Sequence, residues 1–344
     1  MRDRYAASVA RTIQRQIGSC DLTLGELVVA TECANGAYAS TAAAAVAAGA
    51  AHVWAYGADS RWATVEQSEA DVRALIEALG ADQSRLTVVR DKAQVPWAAV
   101  DIVTNSGHLR PLSADLIGAL PADAVIALMF EAWELRDGDI DVQAAVRCDV
   151  PIIGVDEHHP ACGAFEFVGA LAVSEAMRRS WSIADAHVAV ISDNAFAPPV
   201  LRALNAAGAH ASHIDPHSPQ NAEGDFDLAV VATTPPAVAN AAGDGAVDPS
   251  ALAQVIERTG AYGCVQLWGD IAREQAPAVQ FSPERAPAAG HQGVAMNAAG
   301  HEATVRLQVG GLAAAFHGRR QRLGLEVAED LITLIQTVNT KQTR

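Results

Sequence analysis

Short runs of aliphatic and β-branched residues alternate along this chain with longer stretches in which apolar positions recur three or four apart. Glu26 to Ala30, His52 to Tyr56, Arg85 to Val89, Val100 to Thr104 and Ala124 to Met129 have the length and composition of buried strands, and Pro151 to Gly154 closes the series. Helical patterns lie between them, at residues 5–18, at 37–50 among small side chains, and at 65–79. The second half repeats the plan, with an apolar helix from Phe165 to Arg178, strands at 187–191, 211–214, 228–232 and 263–267, and a further strand near Val305 to Val309. Strands that alternate with helices of about 10 to 15 residues predict parallel sheets covered on both faces. The expected class is therefore α/β, with two Rossmann-like, doubly wound lobes and a crevice between them. A first, substrate lobe is expected over 1–155 and a second, nucleotide-binding lobe over 156–318, with an amphipathic helix within 319–344 folding back on the first.

The second lobe carries the sharpest local signal. Strand 187–191 runs into the polar loop Ser192-Asp193-Asn194, a helix with Leu201 and Leu204 follows, and a second strand ends on Asp215. This is the βαβ order of a dinucleotide-binding unit, and Asp215 follows Ile191 at close to the separation of about 20 residues at which an acid meets a ribose hydroxyl. The loop has no glycine between Ile191 and Phe196 where the fingerprint reads G-x-G-x-x-G. Ser192, Asp193 and Asn194 can offer N–H groups to a phosphate at the helix start, while the charge of Asp193 opposes one. Thr233, Thr234 and Pro235 follow the next buried strand, where ligands of open parallel sheets lie. An acid at 215 favours NAD over NADP, and a loop without glycine leaves S-adenosylmethionine, which has no phosphates to cradle, as the alternative.

Composition narrows the partners. The chain has 344 residues and a net charge of −16, with half of its residues apolar and 5% aromatic. Such a charge argues against nucleic acid, which asks for a basic face. There is no apolar run long enough to span a membrane and no secretory leader pattern. Five scattered cysteines without a C-x-x-C pair fit a reducing cytoplasm. A small-molecule substrate and a homodimeric, cytoplasmic enzyme are the expectations.

The first lobe supplies candidate chemistry at the ends of its expected strands. Asn105, Ser106, His108 and Arg110 gather an amide, a hydroxyl, an imidazole and a guanidinium in one loop; Arg110 suits a carboxylate or phosphate. Glu131 beside Trp133 suits a general acid or base whose pKa burial would raise. His158, in Asp156-Glu157-His158-His159-Pro160, is a second candidate for proton transfer, and no metal is expected there because adjacent residues do not converge on one ion. Farther on, the irregular stretch Pro283 to Gly300 holds His291, and Trp268 leaves a strand toward the same end of the sheet as a substrate contact.

With a first α/β lobe, a connecting apolar helix, a Rossmann lobe and a late histidine, the chain resembles the formate/glycerate dehydrogenase-like proteins, which include D-2-hydroxyacid dehydrogenases and S-adenosylhomocysteine hydrolase. The resemblance implies Asp215 on the ribose, His291 as the catalytic histidine and Arg273 as its arginine. The turn Glu32-Cys33-Ala34-Asn35-Gly36 also weakly resembles the first motif of S-adenosylmethionine-dependent methyltransferases, with Asp59 as the acid beyond the second strand.

Overall fold

The computed structural model describes residues 2–218, 222–236, 238 and 246–338. In chain order the elements are α1 (Arg2–Ser19), β1 (Val28–Glu32), α2 (Ser40–Ala47), β2 (His52–Tyr56), α3 (Val65–Ala78), β3 (Leu86–Val89), β4 (Ile102–Thr104), α4 (Ala114–Gly118), β5 (Val125–Ala127), α5 (Val142–Arg147) and β6 (Ile152–Val155). There follow α6 (Phe167–Arg178), β7 (His187–Ile191), α7 (Ala197–Ala206), β8 (His210–Ile214), β9 (Leu228–Ala232), α8 (Pro249–Arg258), β10 (Gly263–Trp268) and β11 (Gln280–Ser282). The chain then returns through α9 (His301–Arg322), α10 (Glu329–Ile332) and β12 (Ile335–Thr337). It forms two compact units, Met1–Ala164 with His301–Arg344, and Phe165–Gly300.

Unit 1 is a seven-stranded sheet in the order β12-β6-β5-β4-β1-β2-β3. Strands β1 to β6 pair in parallel, and β12 adds an antiparallel edge on β6, with Ile335 opposite Val155. The order 3-2-1-4-5-6 is that of a doubly wound fold, with its strand order reversing between β1 and β4. One face is covered by α1, α2, α3 and α9, the other by α4 and α5. Strands β4, β5 and β6 are buried on both faces, which is why they read as continuous apolar runs rather than alternating ones.

Unit 2 is a five-stranded, wholly parallel sheet in the order β11-β10-β9-β7-β8. Its reversal lies between β7 and β9. Helices α6 and α7 cross closely at Gly169, where a Cβ would lie 2.4 Å from Pro199 O.

Two expectations fail. Val305 to Val309 lie inside the 22-residue helix α9, not in a strand. That helix is buried from Ala303 almost to Arg319, and a helix apolar around most of its circumference shows no clear stripe by which to recognise it. Gly311 packs it onto the sheet of unit 1, with a Cβ there only 3.0 Å from Met129 Cα. The segment after Leu323 is not a long helix either: it holds the four-residue α10 and the edge strand β12.

Candidate functional site

In unit 1 the carboxyl ends of the parallel strands bring the polar loops to one edge. Beyond β5 the chain passes through Met129, in the left-handed region at φ +74°, and delivers Glu131 to a buried position, 2% exposed. β6 makes room for this segment with Gly154, where a Cβ would meet Ala132 N at 2.7 Å and Phe130 O at 3.0 Å. The Glu131 carboxylate accepts three N–H donors: Glu157 N at 2.8 Å, Gln336 Nε2 at 2.7 Å and Trp133 Nε1 at 3.1 Å. Gln336, on the edge strand β12, also accepts from Ala132 N at 2.8 Å and so pins the loop. Burial nevertheless pushes the Glu131 carboxyl above its ordinary range, because desolvation outweighs the donors.

Two more buried carboxyls adjoin it. Glu134 is pushed up to about 8, first by burial and then by the charge of Glu131, with Arg136 opposing. Burial, followed by the charges of Glu134 and Glu131, raises Glu157 well above the usual carboxyl range. Three such groups cannot all ionise together. Buried carboxyls that raise one another's pKa in this way form an arrangement able to hold and release a proton.

His158, the expected partner of Glu131, is exposed, and its backbone N donates to Asp156 Oδ1 at 2.9 Å. The residue that reaches Glu131 is its neighbour Glu157. Glu134, Glu157 and Gln336 are the members of this cluster that the sequence pattern did not single out.

The loop after β4 forms the next part of the edge. Asn105 is fully buried, and Ser106 nearly so, its hydroxyl 2.7 Å from that of Thr104. Arg110 and Arg136 both reach Asp139 Oδ2, at 3.4 and 2.9 Å, and Asn105 Nδ2 lies 3.5 Å from the same atom. Two guanidinium groups share this carboxylate, and the Glu32 carboxylate also acts on Arg110. Arg110 Nε and Asn105 Oδ1 are buried without a hydrogen-bond partner among the described residues. This corner can take an anionic or polar group. His108 is exposed, and its backbone N donates to Glu32 Oε1 at 3.0 Å. Gly107, at φ +36°, makes that approach possible, since a Cβ would lie 1.9 Å from the Glu32 oxygens. The Glu32–His108 bond thus bridges the loops on either side of the strand reversal. Asp59 accepts from Val65 N at 2.8 Å, at the start of α3, rather than standing free for a ligand.

In unit 2 the reversal between β7 and β9 is bridged in the same manner. Asp193 Oδ1 accepts from Thr234 N at 2.8 Å, Thr234 Oγ1 at 3.3 Å and Asn194 Nδ2 at 3.0 Å. Ser192 Oγ donates to Ala232 O at 2.7 Å, and Asn194 Oδ1 accepts from Phe196 N at 3.0 Å just before α7. Thr233 and Pro235 are buried, and the Thr233 hydroxyl abuts Gly269. Asp215 stands just past β8, partly exposed, accepting from His217 N at 2.9 Å and Ser218 Oγ at 3.3 Å. A carboxylate has about four lone-pair sites, so this one retains capacity for a ribose hydroxyl.

A dinucleotide, the ligand that such a fold implies, is thus matched at one end only. Asp215 has the position and the acceptor capacity that a ribose hydroxyl would need. The pyrophosphate does not fit the loop as it stands, because Asp193 already occupies the Thr234 N–H and carries charge of the same sign.

The remaining candidates lie in and around the 283–300 stretch. Trp268 is 3% exposed, donates from Nε1 to Gly290 O at 3.2 Å and stands edge-on to Phe196. It is a core residue anchoring the 283–300 stretch. Arg273 spends its guanidinium on Gln266 Oε1, Pro283 O and Glu284 O. His291 is exposed, with Nδ1 3.0 Å from Ala289 O. No group of three or more His, Cys, Asp or Glu that would hold a metal occurs among the described residues, and none of their helices is long and apolar enough to cross a membrane.

No family model matches the sequence, and no curated protein matches it. Among solved structures it is similar to a dipicolinate synthase component from Bacillus halodurans, with 11% identity, a TM-score of 0.53 and coverage of 83% of this chain and 96% of that one. The corresponding dipicolinate synthase chain from Bacillus subtilis gives 10% identity, a TM-score of 0.56 and coverage of 88% and 99%. An NAD-dependent formate dehydrogenase from Staphylococcus aureus in complex with NAD aligns at 11% identity and a TM-score of 0.41, over 88% and 97%. Identities this low speak to the fold alone. The chain has the two-lobed α/β fold that it shares with these dipicolinate synthase chains.

Proposed function

We propose that this chain is an oxidoreductase-like enzyme whose unit 2 binds the adenosine part of NAD around Asp215. Its proton-transfer group is Glu131, and its substrate is a small polar or carboxylate molecule held by Arg110 and Asn105. The observation that carries the binding half is the position of Asp215 just past β8, in a parallel sheet whose order reverses next door between β7 and β9. For the chemical half the support is the Glu131 carboxylate, buried on three donors with its pKa raised toward the range where general acids and bases work. A pyrophosphate entering this site has to displace the Asp193–Thr234 bond, so NAD binds weakly. That same bond favours a second reading, an adenosyl ligand without phosphates; the fold similarities add no support for a methyltransferase in particular. Assembly as a homodimer belongs to the proposal, and sedimentation tests it.

A thermal-shift panel with NAD, adenosine and S-adenosylmethionine tests the binding half, because a ligand that binds only the folded state raises its apparent stability. The proposal expects adenosine-containing ligands to raise the unfolding temperature. No rise with any of the three contradicts it.

A further inference from the structure

We infer that Asp193 biases the strand reversal of unit 2 toward adenosine ligands without phosphate, and so weakens NAD there, by placing the chain's own carboxylate on donors that a phosphate would use. The inference rests on the adenosine reading of Asp215 and goes beyond it by fixing the ligand class. In a parallel sheet the phosphates of a nucleotide lie at the reversal point, against N–H groups of the loops that leave the two flanking strands. Here those loops are 192–196, after β7, and 233–235, after β9. Two of the donors that the second loop would offer, Thr234 N and Thr234 Oγ1, are taken by Asp193 Oδ1, at 2.8 and 3.3 Å, while the Thr233 hydroxyl is buried without a hydrogen-bond partner among the described residues. Asp193 does not supply a helix cap that would explain it otherwise; the acceptor for Phe196 N is Asn194 Oδ1. Its side chain is 9% exposed, so little water screens its charge, and His217 Nε2 stands 4.0 Å from its other oxygen. A phosphate there would lose the two Thr234 donors and face a like charge.

Unit 1 repeats the device independently. Glu32, at the end of its first strand, accepts from His108 N across its own reversal, with Gly107 giving the space. In both halves a carboxylate from the first strand's loop ties the opposing loop by a backbone N–H. In unit 2, where Asp193 takes this place, an anionic phosphate is disfavoured by charge, while a nucleoside is not.

The test is calorimetric titration of the whole chain with adenosine and with ADP-ribose, comparing wild type with Asp193→Asn. The amide keeps an acceptor for Thr234 N, so the loop is expected to stay folded; Asp193→Ser and the thermal midpoint of each variant control for that. Wild type is expected to bind adenosine at least as tightly as ADP-ribose. Asp193→Asn should shift that ratio by about tenfold or more toward ADP-ribose while leaving adenosine within about threefold. An unchanged ratio in both variants, or a wild type that prefers ADP-ribose by about tenfold, overturns the inference. Failure of adenosine to bind wild type and variants alike would instead bring down the adenosine reading, and this inference with it.

Discussion

Replacing Glu134 with Gln isolates the energetic consequence of the buried carboxyl cluster. Glu134 is raised from 4.5 to about 8, mainly by burial and next by Glu131. A carboxyl with a raised folded-state pKa favours the fold in its protonated form. Its contribution is complete below the unfolded value of 4.5 and is lost as pH rises through about 8. A tenfold change in proton affinity corresponds to about 1.4 kcal/mol, which sets a ceiling of about 5 kcal/mol for this group, and its coupling to Glu131 and Glu157 spreads that loss over the cluster. A neutral amide of the same shape removes the titration. Denaturant unfolding from about pH 5 to about pH 9 should show Glu134→Gln within about 1 kcal/mol of wild type at the acid end and more stable by roughly 2 kcal/mol or more at the alkaline end. Parallel profiles for the two proteins would refute the reasoning, since they would mean that Glu134 titrates normally or that water reaches it.

The same edge of unit 1 supports three further expectations. Glu131→Gln should lower turnover on the enzyme's substrate by roughly 10²- to 10⁴-fold, as general acid–base groups typically contribute that much, and should also lower the thermal midpoint, because the amide N–H faces at least one of the three N–H donors that the carboxylate accepts. Gly154→Ala should destabilise unit 1 by about 1–3 kcal/mol in denaturant melts, because the new methyl meets backbone at Ala132 rather than a side chain that can yield. Gln336→Ala removes the 2.7 Å donor from Glu131 and should move the acid–base limb of the pH–rate profile upward; an unmoved limb would separate Glu131 from that titration.

Much of the fold was legible because the parallel strands are short, continuous apolar runs with clear boundaries. His187–Ile191 and Leu228–Ala232 were readable to the residue. Helix α9 was not, since its buried small residues leave no periodic stripe and Val305 with Val309 imitates a strand. The site divides in the same way. Asn105, Arg110 and Glu131 were visible as polar residues at strand ends, a local property. Gln336 lies 205 positions from the Glu131 it touches, and only the antiparallel addition of β12 brings it there. Glu157 was hidden by its histidine neighbours, although a carboxylate that follows the fully buried strand Ile152–Val155 and Asp156 carries the signal on which Glu131 was chosen. For Trp268, strand alternation gives a face but not whether that face is covered, and the ring is 3% exposed.

The central claim, that Asp215 receives an adenosine ribose, is tested most directly by calorimetric titration of adenosine into wild type and Asp215→Ala. Wild type should bind saturably, and the variant should lose more than about tenfold in affinity, roughly 1.4 kcal/mol, with its fold intact by thermal melting. Equal affinity in the two proteins would contradict the claim.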